Sequence, residues 1–452
     1  MDLKGKKVLV VGLAKTGVVT AKFLADQRAI VTVTDIKGYE ELKDNVKALS
    51  DLTIKFELNG HRIESFESAD LIVVSPGVPL NIFPLLRAKE KNVEIISEIE
   101  LAYRFIRTPI IAVTGTNGKT TTTALIGEIL KSSGYSIFVG GNIGNPLVEY
   151  ILSDKDADYV VAEISSFQLE AIKDFKAFIA LILNISEDHM DRHTSFDDYI
   201  FSKLNIFNNQ TEKDYAVLNK DDLFLLKYIQ ELKAKTFWFS RKKEVIPGCY
   251  VEEGRIVFVD KEKKYGPALE DIPLPGVHNI ENVMAAWIVG EIVGINRNKA
   301  IKAIRGFQPF PHRLQKVAEI KGVLFYNDSK GTNVGATLKA LESFKGSLIL
   351  IMGGKDKGGS YAPLAEEIKK KVKAMILMGE AKERIFSALG DLVPTEMVKS
   401  LNEAVIRSFE LAQEGDIVLF SPACSSFDMF VDYKERGRRF IEEVKALEQK
   451  VA

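Results

Sequence analysis

The segment PIIAVTGTNGKTTTT, residues 109–123, constrains the fold more than any other part of the chain. Residues 109–114 read as a strand, 115–118 as a loop, and 120–131 as a helix stopped by Gly134. A strand, a glycine loop and a helix N-terminus in that order make a cradle for phosphate. The glycines let backbone N–H groups turn toward a ligand, and the helix end adds positive potential. Lys119 can reach the β- and γ-phosphates of ATP, and the Thr120 hydroxyl suits Mg²⁺. The spacing departs from G-x-x-x-x-G-K-[ST]: Val113 stands at the first glycine position, and the glycine is Gly115. A turn that merely caps a helix is the plainer explanation, but it leaves Lys119-Thr120 unexplained.

A strand of this kind belongs to a parallel sheet, and the chain offers three series of such strands. KVLVVG (7–12), AIVTVTD (29–35) and ADLIVVSPG (69–77) are continuous apolar runs, and GVVTAKFLADQ (17–27) between the first two has helical spacing. This is the βαβ pattern of a doubly wound unit, ending near Glu98. The second series starts at residue 109 and includes YVVAEIS (159–165) and AFIALILNIS (177–186). YAVLNK (215–220), KTFWFS (235–240) and CYVEEGRIVFV (249–259) read as partly antiparallel, and residues 276–294 as a helix with a glycine stop. The third series holds GVLFYND (322–328), SLILIMGG (347–354), AMILMG (374–379) and GDIVLFSPA (415–423). The expected fold is α/β with three domains: two doubly wound, Rossmann-like units, 1–98 and 310–452, flanking a central P-loop ATPase-like unit, 99–309.

Length agrees, since 452 residues exceed one ordinary core. The net charge of −1 argues against a nucleic-acid surface or a basic membrane patch. No apolar stretch approaches the roughly 18 residues of a membrane helix. The N-terminal apolar run is short and reads as a strand rather than a signal segment. With only Cys249 and Cys424, a disulfide scaffold is not expected, and a reducing cytoplasm is.

Other motifs fall at strand ends. Glu163 could face a phosphate-bound Mg²⁺, or it could be a surface glutamate. ISEDHMDRH (185–193) holds two of the chain's five histidines; His189 could touch Mg²⁺ or phosphate, although a solvated charged loop has the same composition. GLAKTG (12–17) with Asp35 is similar to a dinucleotide turn, but Ala14 replaces the middle glycine, which disfavours NAD. NDSKGTN (327–333), MGGKDKGG (352–359) and SPACSSFD (421–428) each follow a strand of the third series, on the edge where open α/β sheets bind ligands.

Taken together, GTNGKTTT, SSFQLE, NISEDHMDRH, HNIENVMAA, PHRLQ, NDSKGTN and SPACSSFD, in this order, resemble the Mur ligases over nearly the whole chain. SSFQLE, NDSKGTN and SPACSSFD are similar to the branch that adds D-glutamate. The resemblance implies three domains, for a UDP-sugar, for ATP and for the incoming amino acid. It implies that ATP phosphorylates the carboxylate of UDP-N-acetylmuramoyl-L-alanine and that D-glutamate attacks the acyl phosphate, in peptidoglycan precursor synthesis. It also implies two Mg²⁺ ions, no nucleic acid, no membrane insertion and a cytoplasmic monomer.

By the same resemblance, Gly115, Thr116, Asn117, Gly118, Lys119, Thr120 and Thr121 hold the phosphates. Asn279 and Asn282 lie near adenine; Arg313, Asp328 and Lys330 approach the nucleotide from the third domain. Thr120 and Glu163 ligate one metal, and His189 and a carbamate on Lys203 belong to the second site. Lys119, His189 and Lys203 are thereby the catalytic set. Lys15, Thr16, Asp35, Ile36, Lys37, Ser75 and Asn142 match the UDP-sugar site, and Thr332, Lys357, Ser426 and Tyr433 the D-glutamate pocket. Ile36 leaves only backbone where the family often has a hydroxyl, and Lys355 stands where some relatives are acidic. Another Mur ligase, a folylpolyglutamate synthase, or a nucleotide-regulated binding protein without ligase activity are the rival readings.

Overall fold

The computed structural model describes residues 1–153, 155–229 and 231–451. Three sheets organise the chain. The first has five parallel strands in the order Ile54–Glu57, Ile30–Thr34, Lys7–Val11, Leu71–Val74, Glu94–Ser97. The order reverses beside Lys7–Val11, so the loop after that strand opens at a topological switch point, where such sheets bind ligands. Leu9, Val11, Ile72 and Val74 on one face and Val8, Val10, Val31 and Val33 on the other are buried, which is why these strands read as unbroken apolar runs.

The second sheet has nine strands. Ile110–Thr114 sits between Ile179–Ile182 and Tyr159–Glu163, parallel to both. Its continuation runs through Tyr215–Asn219 and Lys235–Ser240, which also pair in parallel. Of the segments read as partly antiparallel, 215–220 and 235–240 are thus parallel, and the antiparallel part is 249–259. Antiparallel order starts only at Gly248–Glu252, which forms a hairpin with Arg255–Val259. Residue composition could not separate these cases, because both kinds of strand are apolar and aromatic here. The helix Lys119–Ser132 packs under the helix Val277–Val293, and both bury apolar faces on this sheet.

The third sheet has six strands, with Val323–Asn327, Ile417–Phe420, Leu348–Gly353 and Val372–Met378 parallel at its centre. Gln315–Ile320 adds an antiparallel edge. The loops after the central strands carry Asp328, Lys357 and Ser426, and they face the phosphate loop of the second sheet. No helix among the described residues is long and apolar enough to cross a membrane.

Candidate active site

The phosphate loop is fixed by its neighbours. Thr116 N–H donates to the Asn184 carbonyl at 2.9 Å, and Asn117 N–H to Asn184 Oδ1 at 2.8 Å. Thr116 Oγ1 donates to the Ser186 carbonyl at 3.1 Å and shares a hydrogen bond with the Tyr199 hydroxyl at 2.9 Å. Gly118 has φ 87°, and a Cβ there would meet Asn282 Oδ1 at 2.3 Å, so glycine is required twice over. The helix begins at Lys119, one residue before the sequence reading placed it. Lys119 Nζ folds back onto the carbonyls of Gly115 and Thr116, at 2.9 Å each.

A cavity of about 520 Å³ opens over this loop, between the second and third sheets. Of the residues expected to hold ATP, all but Gly115 line it: Thr116 to Thr121, Asn279, Asn282, Arg313, Asp328 and Lys330. Glu163, His189 and Asn142 line it too, as do Thr332, Lys357, Ser426 and Tyr433. Gly115 and Lys203 sit behind the loop, where Lys203 Nζ donates to the Gly115 carbonyl at 2.9 Å. Lys15, Thr16, Asp35, Ile36, Lys37 and Ser75 lie apart, on the open edge of the first sheet. Lys15 Nζ crosses from there to the Gly144 carbonyl at 2.6 Å, two residues beyond Asn142.

The cavity wall carries cations and carboxylates alike, but pairing among them is uneven: Arg241, Lys339 and Lys357 are ion-paired and other cations are not. Lys119, Arg313 and Lys330 have no carboxylate within ion-pair distance among the described residues. Burial pushes the Lys119 ammonium and the Arg313 guanidinium below their ordinary ranges. Burial, with Arg313 adding to it, brings Lys330 down to about 7, and its Nζ rests 4.0 Å over the Tyr433 ring. Uncompensated cations at one cavity wall are costly unless an anion arrives. A polyphosphate supplies that charge, and the helix N-terminus faces the same space.

The acidic groups divide into paired and open. Asp188 bridges the two lobes: Lys357 Nζ lies 2.8 Å from its Oδ1, and Asn333 Nδ2 donates to its Oδ2 at 2.9 Å. Burial would raise this carboxyl, but Lys357 and His189 hold it down at about 2. Burial lowers His189 to about 4, so its imidazole is neutral and free to ligate. Asp328 is raised to about 7 by burial, against hydrogen bonds from Ser421 and Leu314 N–H. Glu163 Oε1 accepts from Asn142 Nδ2 at 2.9 Å, while Oε2 is buried with no partner. An orphaned carboxylate oxygen beside a phosphate loop fits Mg²⁺, which binds one or two carboxylates and completes its shell with phosphate and water. Among the described residues no three His, Cys, Asp or Glu side chains converge as a metal cage.

Three residues emerge here that motif reading passed over. Asp188 and Asn333 join the lobes, but their partners lie 169 and 216 residues away in sequence, at Lys357 and Asn117. Arg436, 1% exposed, ties the loops at 329 and 424–425 by donating to Ser329 Oγ, Ser329 O, Cys424 O and Ser425 O. A lone arginine on a C-terminal helix gave no sign of this.

A phosphate loop on one α/β lobe, cations on the next and a switch-point turn on a third define an ATP-using enzyme that brings two further substrates together. The chain belongs to the Mur ligase family. Residues 6–97 match the Mur ligase MurD-like N-terminal domain, 113–290 the Mur ligase middle domain, and 312–424 the Mur ligase glutamate ligase domain. The UDP-N-acetylmuramoylalanine–D-glutamate ligase of Geotalea daltonii is 52% identical over 449 residues, covering 99% of each chain. That of Geotalea uraniireducens is 50% identical over 448 residues, again covering 99% of each. The solved structure of a pseudomurein peptide ligase type C from Methanothermus fervidus shares the fold, with TM-score 0.61 and 20% identity, covering 97% of this chain and 100% of the other. As a Mur ligase, the protein is an ATP-dependent, magnesium-dependent amide-forming enzyme.

Proposed function

We propose that the protein joins D-glutamate to UDP-N-acetylmuramoyl-L-alanine, with ATP cleaved to ADP and phosphate, in peptidoglycan precursor synthesis. The full-length identity of about half to ligases of that name supports this substrate pair. The observation that carries the chemistry is the convergence on the phosphate loop of three cations that make no ion pair, Lys119, Arg313 and Lys330. A carboxylate is a poor electrophile; phosphorylation gives it a leaving group, and the protein's task is to position the reactants and neutralise charge.

In this reading residues 1–98 hold the UDP-sugar, 99–309 hold ATP and 310–452 hold the amino acid. Lys119 steadies the transferring phosphoryl group. Lys330 and Arg313 close on the nucleotide from the third domain, with Asp328. Asn279 and Asn282 sit at the adenine. Thr332, Lys357, Ser426 and Tyr433 receive D-glutamate, with the Lys357 ammonium meeting a carboxylate. Lys15, Thr16, Asp35, Ile36, Lys37, Ser75 and Asn142 hold the UDP-sugar.

Magnesium, as two ions, would be held by Thr120 and Glu163 and by His189 and the carbamate of Lys203, and would neutralise phosphate charge. A carbamate forms on a neutral amine. Burial, with Lys119 adding to it, holds Lys203 well below the usual lysine range, which favours that form. We place the protein in the cytoplasm as a monomer, in keeping with two buried free cysteines.

Incubation with ATP, Mg²⁺, each UDP-N-acetylmuramoyl precursor and a panel of amino acids tests the proposal. Phosphate release and an amide product are expected with the L-alanyl precursor and D-glutamate. Turnover only with L-lysine or diaminopimelate would move the protein to a sister activity, and nucleotide binding without any amide would make it a binding protein.

A further inference from the structure

His193 stands outside the cavity yet touches the segments that follow Glu163 and precede Lys203, and lies on the turn of His189. Its Nε2 lies 3.1 Å from Ser166 Oγ, at the start of the helix Ser166–Leu169, three residues past Glu163. Its Nδ1 lies 3.4 Å from Glu170 Oε1 and 3.7 Å from Asp198 Oδ2. The ring stacks on Phe167, with centroids 5.3 Å apart, and meets Tyr199 edge-on at 5.1 Å. Tyr199 in turn touches Thr116 of the phosphate loop through its hydroxyl, and Lys203 Nζ lies 4.5 Å over its ring.

Serine, histidine and carboxylate in this order could suggest a nucleophile. The geometry argues otherwise. Ser166, His193 and Glu170 all lie off the cavity, and Ser166 is 2% exposed. The backbone shows a different use. His189 has φ 58°, a left-handed conformation that few residues other than glycine adopt. Such a residue persists where its surroundings over-determine it. The His189 carbonyl accepts the N–H groups of Arg192 and His193, at 3.0 and 3.1 Å. The turn thus closes on His193, and the His193 side chain is what anchors its end.

We propose that His193 is a positioning residue: its ring clamps the turn bearing Asp188 and His189 in register with Glu163 on one side and Lys203 on the other. The inference rests on the ligase reading above. It assigns to a buried imidazole the alignment of three segments that are separate in sequence.

The test uses the full-length protein and three variants. His193→Phe keeps the ring and its stacking but deletes both nitrogen contacts. Ser166→Ala removes one hydroxyl. His193→Gln keeps an amide within reach of Ser166. Turnover and KM values are measured with the L-alanyl precursor and D-glutamate. Separately from turnover, Mn²⁺ binding is followed by electron paramagnetic resonance with a non-hydrolysable ATP analogue. His193→Phe is expected to lower kcat about ten- to hundredfold, since small misplacements at a reacting centre are that expensive. It is expected to weaken Mn²⁺ binding about tenfold, the usual scale for losing a group that orients ligands. The KM for D-glutamate is expected to rise too, by less than kcat falls, because Lys357 of the D-glutamate pocket pairs with Asp188 on the same turn. His193→Gln recovers part of both losses, and Ser166→Ala shows a smaller loss of the same pattern. A lower melting temperature with kcat and Mn²⁺ affinity unchanged overturns the inference; if His193→Phe does not fold, the same result in Ser166→Ala does so. Absence of any amide from the unaltered protein would instead refute the ligase reading, and Mn²⁺ binding would still decide the role of His193.

Discussion

Two of the chain's strand–glycine–helix turns, after Lys7–Val11 and after Ile110–Thr114, are used in different ways. At the first, the Gly12 carbonyl accepts the Ser75 hydroxyl at 3.0 Å, and Leu13 N–H donates to Asp35 Oδ2 at 2.7 Å. A Cβ on Gly17 would meet the Gly12 carbonyl oxygen at 1.9 Å, so this glycine serves the turn's own packing. At the second, the Gly115 carbonyl accepts from two lysines, Lys119 and Lys203. The first turn satisfies itself with neutral and acidic partners. The second draws in two lysines that make no ion pair. Similar local patterns therefore give a turn whose backbone is tied to its own neighbours in one place and a loop held by lysines in the other, and the surrounding side chains decide which.

The largest effect expected from this contrast is at Lys119. Lys119→Ala should lower kcat/KM about a thousandfold, the scale for removing a group aimed at developing charge. ATP-dependent phosphate release measures it, and a loss under tenfold would remove the distinction between the turns. Next comes Lys203, whose replacement leaves the Gly115 carbonyl with Lys119 alone. Lys203→Ala should lower turnover about a hundredfold or more, since an oriented ligand is lost. Added short-chain carboxylates should restore part of it. Full activity in the variant would show that the second lysine is only a packing element.

The self-satisfied turn predicts a milder outcome. Lys15 makes one hydrogen bond across to Gly144 and leaves the turn itself intact. Lys15→Ala should raise the KM for the UDP-sugar about tenfold, the value of a charge-assisted contact, with kcat nearly unchanged. A fall in kcat without a change in KM would mean that Lys15 organises the central lobe rather than the sugar-nucleotide.

The contrast between the two turns was only half visible in the sequence. Gly115, Gly118 and Lys119-Thr120 announced a phosphate site because backbone freedom and charge are written locally. So were the inner parallel strands, whose Val and Ile runs reflect burial on both faces. Edge strands were not. Gln315–Ile320 and Lys263–Ala268 mix charge with apolar residues, because only one face is covered. Within 215–259, read as partly antiparallel, which strands pair which way was not legible, since that depends on the neighbouring strand. The site's long-range joints, Asp188 with Lys357 and Arg436 with the loops at 329 and 424–425, are set by tertiary approach and leave no trace in spacing.

The smallest effect concerns the protons that the cationic wall must take up. Lys330 stands at about 7 in the absence of nucleotide, chiefly through burial. A bound polyphosphate favours its charged form and raises that value, so above pH 7 nucleotide binding must draw in a proton. Affinity should then fall as pH rises, about fivefold between pH 7 and pH 8 for one such group. Asp328, also at about 7, gains negative charge over the same range and acts in the same direction. Titration calorimetry with an ATP analogue in buffers of different ionisation enthalpy measures the uptake directly. Lys330→Arg keeps its charge across this range and should flatten the profile, leaving only the part due to Asp328. An affinity that stays level from pH 6.5 to 8.5 in the unaltered protein would mean that Lys330 is already charged before ATP arrives. The cavity would then hold its cations with help from solvent, and the two turns would differ less in electrostatics than in shape.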